Sequence, residues 1–228
     1  MSIVNRIKWT PLKDDQYYRE EVQKKTIYLH HTAGSSSPAG AIKWWNETPE
    51  RVATAFVIGG KPTRPSDDWK DGDLYQAFSS KYWAYHLGLK QEHLPPGSES
   101  SKLLNAQAIG IEICSWGWLT QKDGKYTSWA NAVVPAQDVI SLDYRGQRYW
   151  EAYTDAQLET LRELLLYLGD KFEIPLCYKG DAMFDLDMRA FRGEPGVWTH
   201  TSVRKDKTDC YPDPRLIKML KEIGGTAQ

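Results

Sequence analysis

Apolar and polar positions divide this chain into short elements of two different periods. Residues 26–30, Thr-Ile-Tyr-Leu-His, are β-branched and apolar and give way to Thr32-Ala33-Gly34 and a run of serines. That is the pattern of a buried strand ending in a loop, with His30 at its end. Pro38 then opens a short helix through Trp44 and Trp45 that stops before Pro49. A second strand is expected at Val52–Ile58, and Asp71-Gly72 signals a turn into a third at Leu74–Phe78, apolar on both faces. Pro95-Pro96-Gly97-Ser98 marks 90–105 as a loop. Ala108–Cys114 again reads as strand, with Ile109, Ile111 and Ile113 on one face and Gly110, Glu112 and Cys114 on the other.

Residues 115–153 carry Trp116, Trp118, Trp129 and Trp150 among turn formers, which predicts a long irregular insertion or a small hairpin excursion. Thr154-Asp155-Ala156-Gln157 is a capping box, and Leu158, Leu161, Leu164, Leu165 and Leu168 behind it repeat with the helical period. Glycines at 180, 193 and 196 lead to a strand at Val197–His200, and Pro212–Ile223 reads as a last helix. Strands alternating with helices, without repeats or a low-complexity linker, predict one α/β domain over 1–228 with a central mixed sheet flanked by helices.

Composition narrows the function. Twenty-nine Lys and Arg against thirty Asp and Glu leave a net charge of −1, so no basic field exists to neutralise phosphates and nucleic-acid binding is disfavoured. Ten Trp and thirteen Tyr offer flat faces that suit sugar rings as well as a core. No apolar run is long enough for a membrane span, and Met1–Lys25 lacks the apolar stretch of a secretory signal. The expectation is a monomer made in a cytoplasm and kept there until something releases it. Cys114, Cys177 and Cys210 are too widely spaced for a disulfide framework and read as free thiols or a metal ligand.

Four features carry chemistry when taken together. His30-His31-Thr32-Ala33-Gly34 follows a strand, Gly110-Ile111-Glu112 lies on one, His200 ends another, and Cys210 comes ten residues later. Two imidazoles and a thiolate make a three-ligand set for Zn²⁺ that leaves a fourth position for water, as catalytic zinc sites do. A nearby carboxylate can take the proton of that water.

The order of these motifs resembles the type 2 N-acetylmuramoyl-L-alanine amidase family, which includes phage lysozyme-amidases and peptidoglycan recognition proteins. The resemblance spans roughly Thr26 to Ile223. It rests on His-His-Thr-Ala-Gly at 30–34, Asp-Gly-x-Leu-Tyr-Gln at 71–76, Trp-x-x-His-x-Gly at 83–88, Ile-Gly-Ile-Glu at 109–112, Thr-His at 199–200 and Lys-Thr-Asp-Cys-Tyr-Pro-Asp-Pro at 207–214. It implies a mixed sheet flanked by helices and cleavage of the amide between the lactyl group of N-acetylmuramic acid and L-alanine, with peptidoglycan or muropeptides as partner. By the same resemblance His30, His200 and Cys210 hold zinc. Cys210 is preferred to its neighbour Asp209 because thiolate is a strong ligand, with Cys114 as a further rival. The family's Tyr position holds Thr54 here, so Glu112 takes the role of proton shuttle. Thr208, two residues before Cys210, is placed to hydrogen-bond the oxyanion, with Lys207 beside it as a substitute. His31 and His86 match positions that line the cleft, and Trp116 and Trp118 either stack on the glycan or pack in the core. A phage endolysin is the favoured role; a recycling amidase of the cytoplasm and a binding module without catalysis are the alternatives.

Overall fold

The computed structural model describes residues 3–225. Its main sheet has six strands: β1 (Ile7–Trp9), β2 (Thr26–His31), β3 (Phe56–Ile58), β4 (Leu74–Gln76), β5 (Ala108–Ile113) and β11 (Gly196–Thr199), in the order β1-β4-β3-β5-β2-β11. All neighbours are parallel except β3 and β4, which run antiparallel, so the expected mixed sheet is present. β2 lies between β5 and the edge strand β11, and its six residues, including both histidines, are buried, as a strand covered on both faces must be.

The helices are α1 (Pro38–Glu47), α2 (Ser101–Ala106), α3 (Asp155–Phe172), α4 (Met188–Phe191) and α5 (Pro214–Gly224). The Ser37 hydroxyl caps α1 by accepting from the Gly40 N–H, with Pro38 in the first turn where its missing donor costs nothing. α3 opens on the capping box read from its sequence: Thr154 accepts from the Gln157 N–H and the Gln157 side chain accepts from the Thr154 N–H. Leu158, Leu161, Leu164, Leu165 and Leu168 are buried, Leu166 is exposed, and the helix packs on α5 and β3; burying each such side chain contributes about 1.5–3 kcal/mol. α2 lies within the stretch expected to be loop. Its six residues give no periodic signal, and the Ser100 hydroxyl and the buried Asn105 side chain hold it.

Residues 115–153 are neither irregular nor a single hairpin. They form a second, antiparallel sheet of five strands, β6 (Trp118–Lys122), β7 (Lys125–Thr127), β8 (Val133–Val134), β9 (Val139–Tyr144) and β10 (Gln147–Glu151), ordered β8-β7-β6-β10-β9. Two-residue turns, Asp123-Gly124 and Arg145-Gly146, close the β6–β7 and β9–β10 hairpins with φ positive at both central residues, which matches the twist of paired strands. The excursion is fastened to the body by a stack of rings, Trp150 on Tyr211 at 4.7 Å and Tyr211 on Tyr153 at 4.8 Å between centroids. Among the described residues no helix is long and apolar enough to cross a membrane.

Candidate metal centre

The site forms where the parallel strands end. In the parallel register His30 of β2 pairs with Glu112 of β5, so both side chains leave the same face of the sheet. Thr199 of β11 pairs with Leu29, and the next residue, His200, therefore falls beside His30, with ring centroids 4.5 Å apart. The loop after β11 returns Asp209 to the two rings. Its Oδ2 lies 3.2 Å from His30 Nδ1 and 2.9 Å from His200 Nδ1. Ligand atoms of His30, His200 and Asp209 all lie within 4.8 Å of one another, and all three residues are buried.

Each imidazole is held by its other nitrogen. His200 Nε2 lies 3.1 Å from the Leu87 carbonyl, which can only accept, so Nε2 carries a proton and Nδ1 is the nitrogen turned toward Asp209. His30 Nε2 lies 3.0 Å from His86 Nδ1. His86 and Leu87 are fixed in turn by Asn105, whose Oδ1 accepts from both their backbone N–H groups at 2.8 and 3.0 Å. Burial, reinforced by the neighbouring His200, lowers the His30 pKa to about 4, which keeps that ring neutral at physiological pH. Burial alone would raise Asp209, but the adjacent His200 and His30 outweigh it and hold the carboxyl well below its usual range. Two imidazole Nδ1 atoms converging on one carboxylate oxygen bring three donors within reach of a single cation, and nitrogen and carboxylate donors suit zinc.

Three buried side-chain atoms among the described residues have no hydrogen-bond partner, and two of them, His86 Nε2 and Glu112 Oε2, belong to this cluster. Buried polar groups are nearly always satisfied, so the Glu112 oxygen, on the strand next to His30, is free to meet a bound group. Burial, and secondarily the charge of Asp209, raises the Glu112 pKa well above its ordinary value, while the Lys207 ammonium acts in the opposite sense. Lys207 also bears electrostatically on His30, in the sense that lowers its pKa.

The structure changes several assignments. The third donor brought to the histidines is Asp209, not Cys210. The Cys210 thiol is fully buried beside the Tyr153 hydroxyl, and burial pushes its pKa well up, so it is neither in the group nor ionised. Cys114, buried on β5, is also outside the group. With Asp209 in that place, the residue two before it is Lys207. The Thr208 side chain takes no part in the hydrogen bonds that join the cluster. His31 does not line a cleft with His30, because strand alternation turns it to the opposite face, where its Nδ1 meets the Tyr153 hydroxyl at 3.0 Å. His86 is in the cluster, but as a buried neighbour of His30. Trp116 is half-buried and meets Trp129 edge to face at 6.2 Å; Trp118 is half-buried against the core. Asn105 was not a sequence candidate; its place three residues before the strand at 108 gave no signal of chemistry.

The pattern that defines the N-acetylmuramoyl-L-alanine amidase family, Amidase_2, matches residues 20–214. Among curated proteins no sequence matches. Among solved structures, PlyL is similar over 97% of this chain and 99% of its own, at 12% identity and a TM-score of 0.53. AmpDH3 from Pseudomonas aeruginosa is similar over 92% of this chain and 63% of its own, at 18% identity and a TM-score of 0.52. The same enzyme in complex with anhydromuramic pentapeptide aligns over 90% of this chain and 62% of its own, at 17% identity and a TM-score of 0.52. At these identities the likeness is one of fold.

Proposed function

Because the chain belongs to the N-acetylmuramoyl-L-alanine amidase family, we propose that it is a zinc-dependent peptidoglycan amidase that hydrolyses the bond between the lactyl group of N-acetylmuramic acid and L-alanine of the stem peptide. The observation that carries this reading is the meeting of His30, His200 and Asp209 beside a Glu112 carboxylate oxygen that has no partner of its own. Those three residues would hold the ion. Zinc so bound supplies Lewis-acid polarisation of the amide carbonyl and a water of lowered pKa.

The chain's own groups do the rest. Glu112, on the strand next to His30, accepts the proton of the attacking water and returns it to the departing nitrogen, so that water adds across the C–N bond and the products are a lactyl carboxylate and a free peptide amine. Lys207, two residues before Asp209 and electrostatically coupled to Glu112, stabilises negative charge developing on the carbonyl oxygen, the role expected of Thr208 or Lys207. His86 and the Leu87 carbonyl keep both imidazoles in orientation, as outer partners of metal ligands do.

Within this reading we favour the intact cell wall as substrate and a phage endolysin as role. Supporting it is Trp129, 63% exposed in the turn between β7 and β8, whose indole N–H donates to the Ala33 carbonyl two residues past β2 at 2.7 Å and so holds an open aromatic face over the loop that follows His30 and His31. Mass spectrometry of purified sacculi digested with the zinc-loaded protein tests the proposal. Peptides with a free N-terminal alanine and peptide-free glycan are expected, chelator abolishing their release and zinc restoring it. Cleavage within the glycan, or tight binding with no release, refutes the amidase reading; release from soluble muropeptides alone refutes the wall-directed one.

A further inference from the structure

The second sheet reaches back to the site through one side chain. Arg145 occupies the first central position of the two-residue turn between β9 and β10, at φ 48°, where glycine, asparagine and aspartate are the usual occupants. A long side chain in the left-handed region is strained unless its surroundings hold it there. Here they do. Arg145 Nη1 donates to the carbonyls of Arg204 at 2.8 Å, Lys205 at 2.9 Å and Lys207, and Nη2 to the Thr201 carbonyl at 3.2 Å and to Asp185 at 3.0 Å. The side chain is only 14% exposed.

All four carbonyls lie in the loop that begins at His200 and ends at Asp209, and one belongs to Lys207. The same loop is closed by the Thr201 N–H donating to the Asp209 carbonyl at 3.1 Å, so the guanidinium sits inside the ring of backbone that presents both the third metal donor and the site's cation. Only the start of this segment is regular, a 3-10 turn at His200–Ser202, so the path of 203–209 is set by other contacts, and a planar fork of five donors is the side chain best able to gather several carbonyls at once.

We propose that Arg145 is a positioning residue that sets the path of the 200–209 loop, and through it the placement of Asp209 and Lys207, so that the second sheet serves the reaction by delivering this guanidinium. The proposal rests on the amidase reading for its catalytic consequence and on the hydrogen bonds alone for its structural one.

The decisive variant is Arg145→Gly, because glycine relieves the backbone at positive φ and removes only the fork. In the folded, zinc-supplied variant kcat should fall on the order of 10–100-fold with KM little changed, and zinc affinity against a competing chelator should weaken by a similar factor, as for other outer partners of metal ligands. Amide hydrogen exchange over 201–209 should quicken, and millimolar guanidinium should restore part of the activity. Arg148→Gly, exposed on the same hairpin, should change none of these. If Arg145 merely staples the sheet to the body, the glycine variant loses melting temperature but keeps kcat and zinc affinity, and the proposal fails. Unchanged exchange over 201–209 overturns it whatever the wild type cuts. A wild type that releases no peptide from sacculi, with faster loop exchange in the variant, removes the amidase reading and leaves the positioning role standing.

Discussion

Asp209 and Cys210 are adjacent in sequence and opposite in environment. The carboxylate is shared between two imidazole Nδ1 atoms, whereas the thiol is shut in beside Tyr153 and kept protonated by burial. Intrinsic affinity favours thiolate, which is why the sequence pointed to Cys210; which of two neighbours faces the histidines is decided by the turn of the loop, and residue types do not encode that. Asp209→Asn should therefore lose zinc affinity by more than roughly 10²-fold, given that even outer partners of ligands are worth 10–100-fold, while Cys210→Ser keeps zinc. Metal content after dialysis and chelator competition read this directly, and the reverse result returns the site to Cys210. Glu112 makes a different kind of prediction. Glu112→Gln should keep zinc and lower turnover by roughly 10²–10⁴. In metal-free protein its raised pKa means that the folded state prefers the protonated acid, so the wild type's stability relative to the Gln variant is fully present below the unfolded carboxyl pKa and lost as pH rises through the folded one. The Gln variant should then melt higher at neutral and alkaline pH; an equal or lower melting temperature there would show that the buried carboxylate has a partner.

Among the elements, β2 and β5 set the geometry, and at Gly110 the side chains of Thr54 and His86 press on the bare backbone of β5. A Cβ at Gly110 would lie 2.7 Å from Thr54 Cγ2 and 3.2 Å from His86 Nδ1, so the bare backbone of β5 is what lets His86 approach His30. Gly110→Ala is expected to cost about 1–3 kcal/mol as overpacking and to weaken zinc binding by shifting His86. Thr54→Ser removes the clashing methyl and keeps the hydroxyl that donates to the Phe56 carbonyl, so it should recover part of both losses in the double variant. Melting curves and zinc titration on the four proteins check this, and a fully tolerated alanine would show that His86 is not held at Gly110. β2, β5, β11 and α3 were legible in the sequence because their signals are local: runs of β-branched residues, an alternation around Glu112, a capping box before a leucine period. α2 was not, since six residues held by Ser100 and Asn105 carry no period. The second sheet was visible only as aromatics among turn formers; Asp123-Gly124 is an ordinary hairpin signal, but Arg145-Gly146 is not, because its positive φ is sustained by carbonyls some sixty residues further along.

Across the whole molecule the donors come from positions that are distant in the chain, so metal and fold should be coupled. His30 lies on β2, near the start of the fold, while His200 and Asp209 lie on a segment reached after the second sheet, α3 and α4 have been built. The unfolded chain cannot gather such donors cheaply, so zinc binds the folded state preferentially and its binding free energy becomes folding free energy. At free zinc about 100 times its dissociation constant the linkage is about 2.7 kcal/mol. For a chain of this size each 1 kcal/mol moves the melting temperature by about 2–4 °C, so zinc should raise it by about 5–10 °C over the chelated protein. The shift should grow with the logarithm of free zinc and vanish in Asp209→Asn, while Cys210→Ser, from whatever melting temperature it starts, shows the full shift. A melting temperature in the wild type that is indifferent to both chelator and added zinc would mean that the three donors do not hold a metal at all.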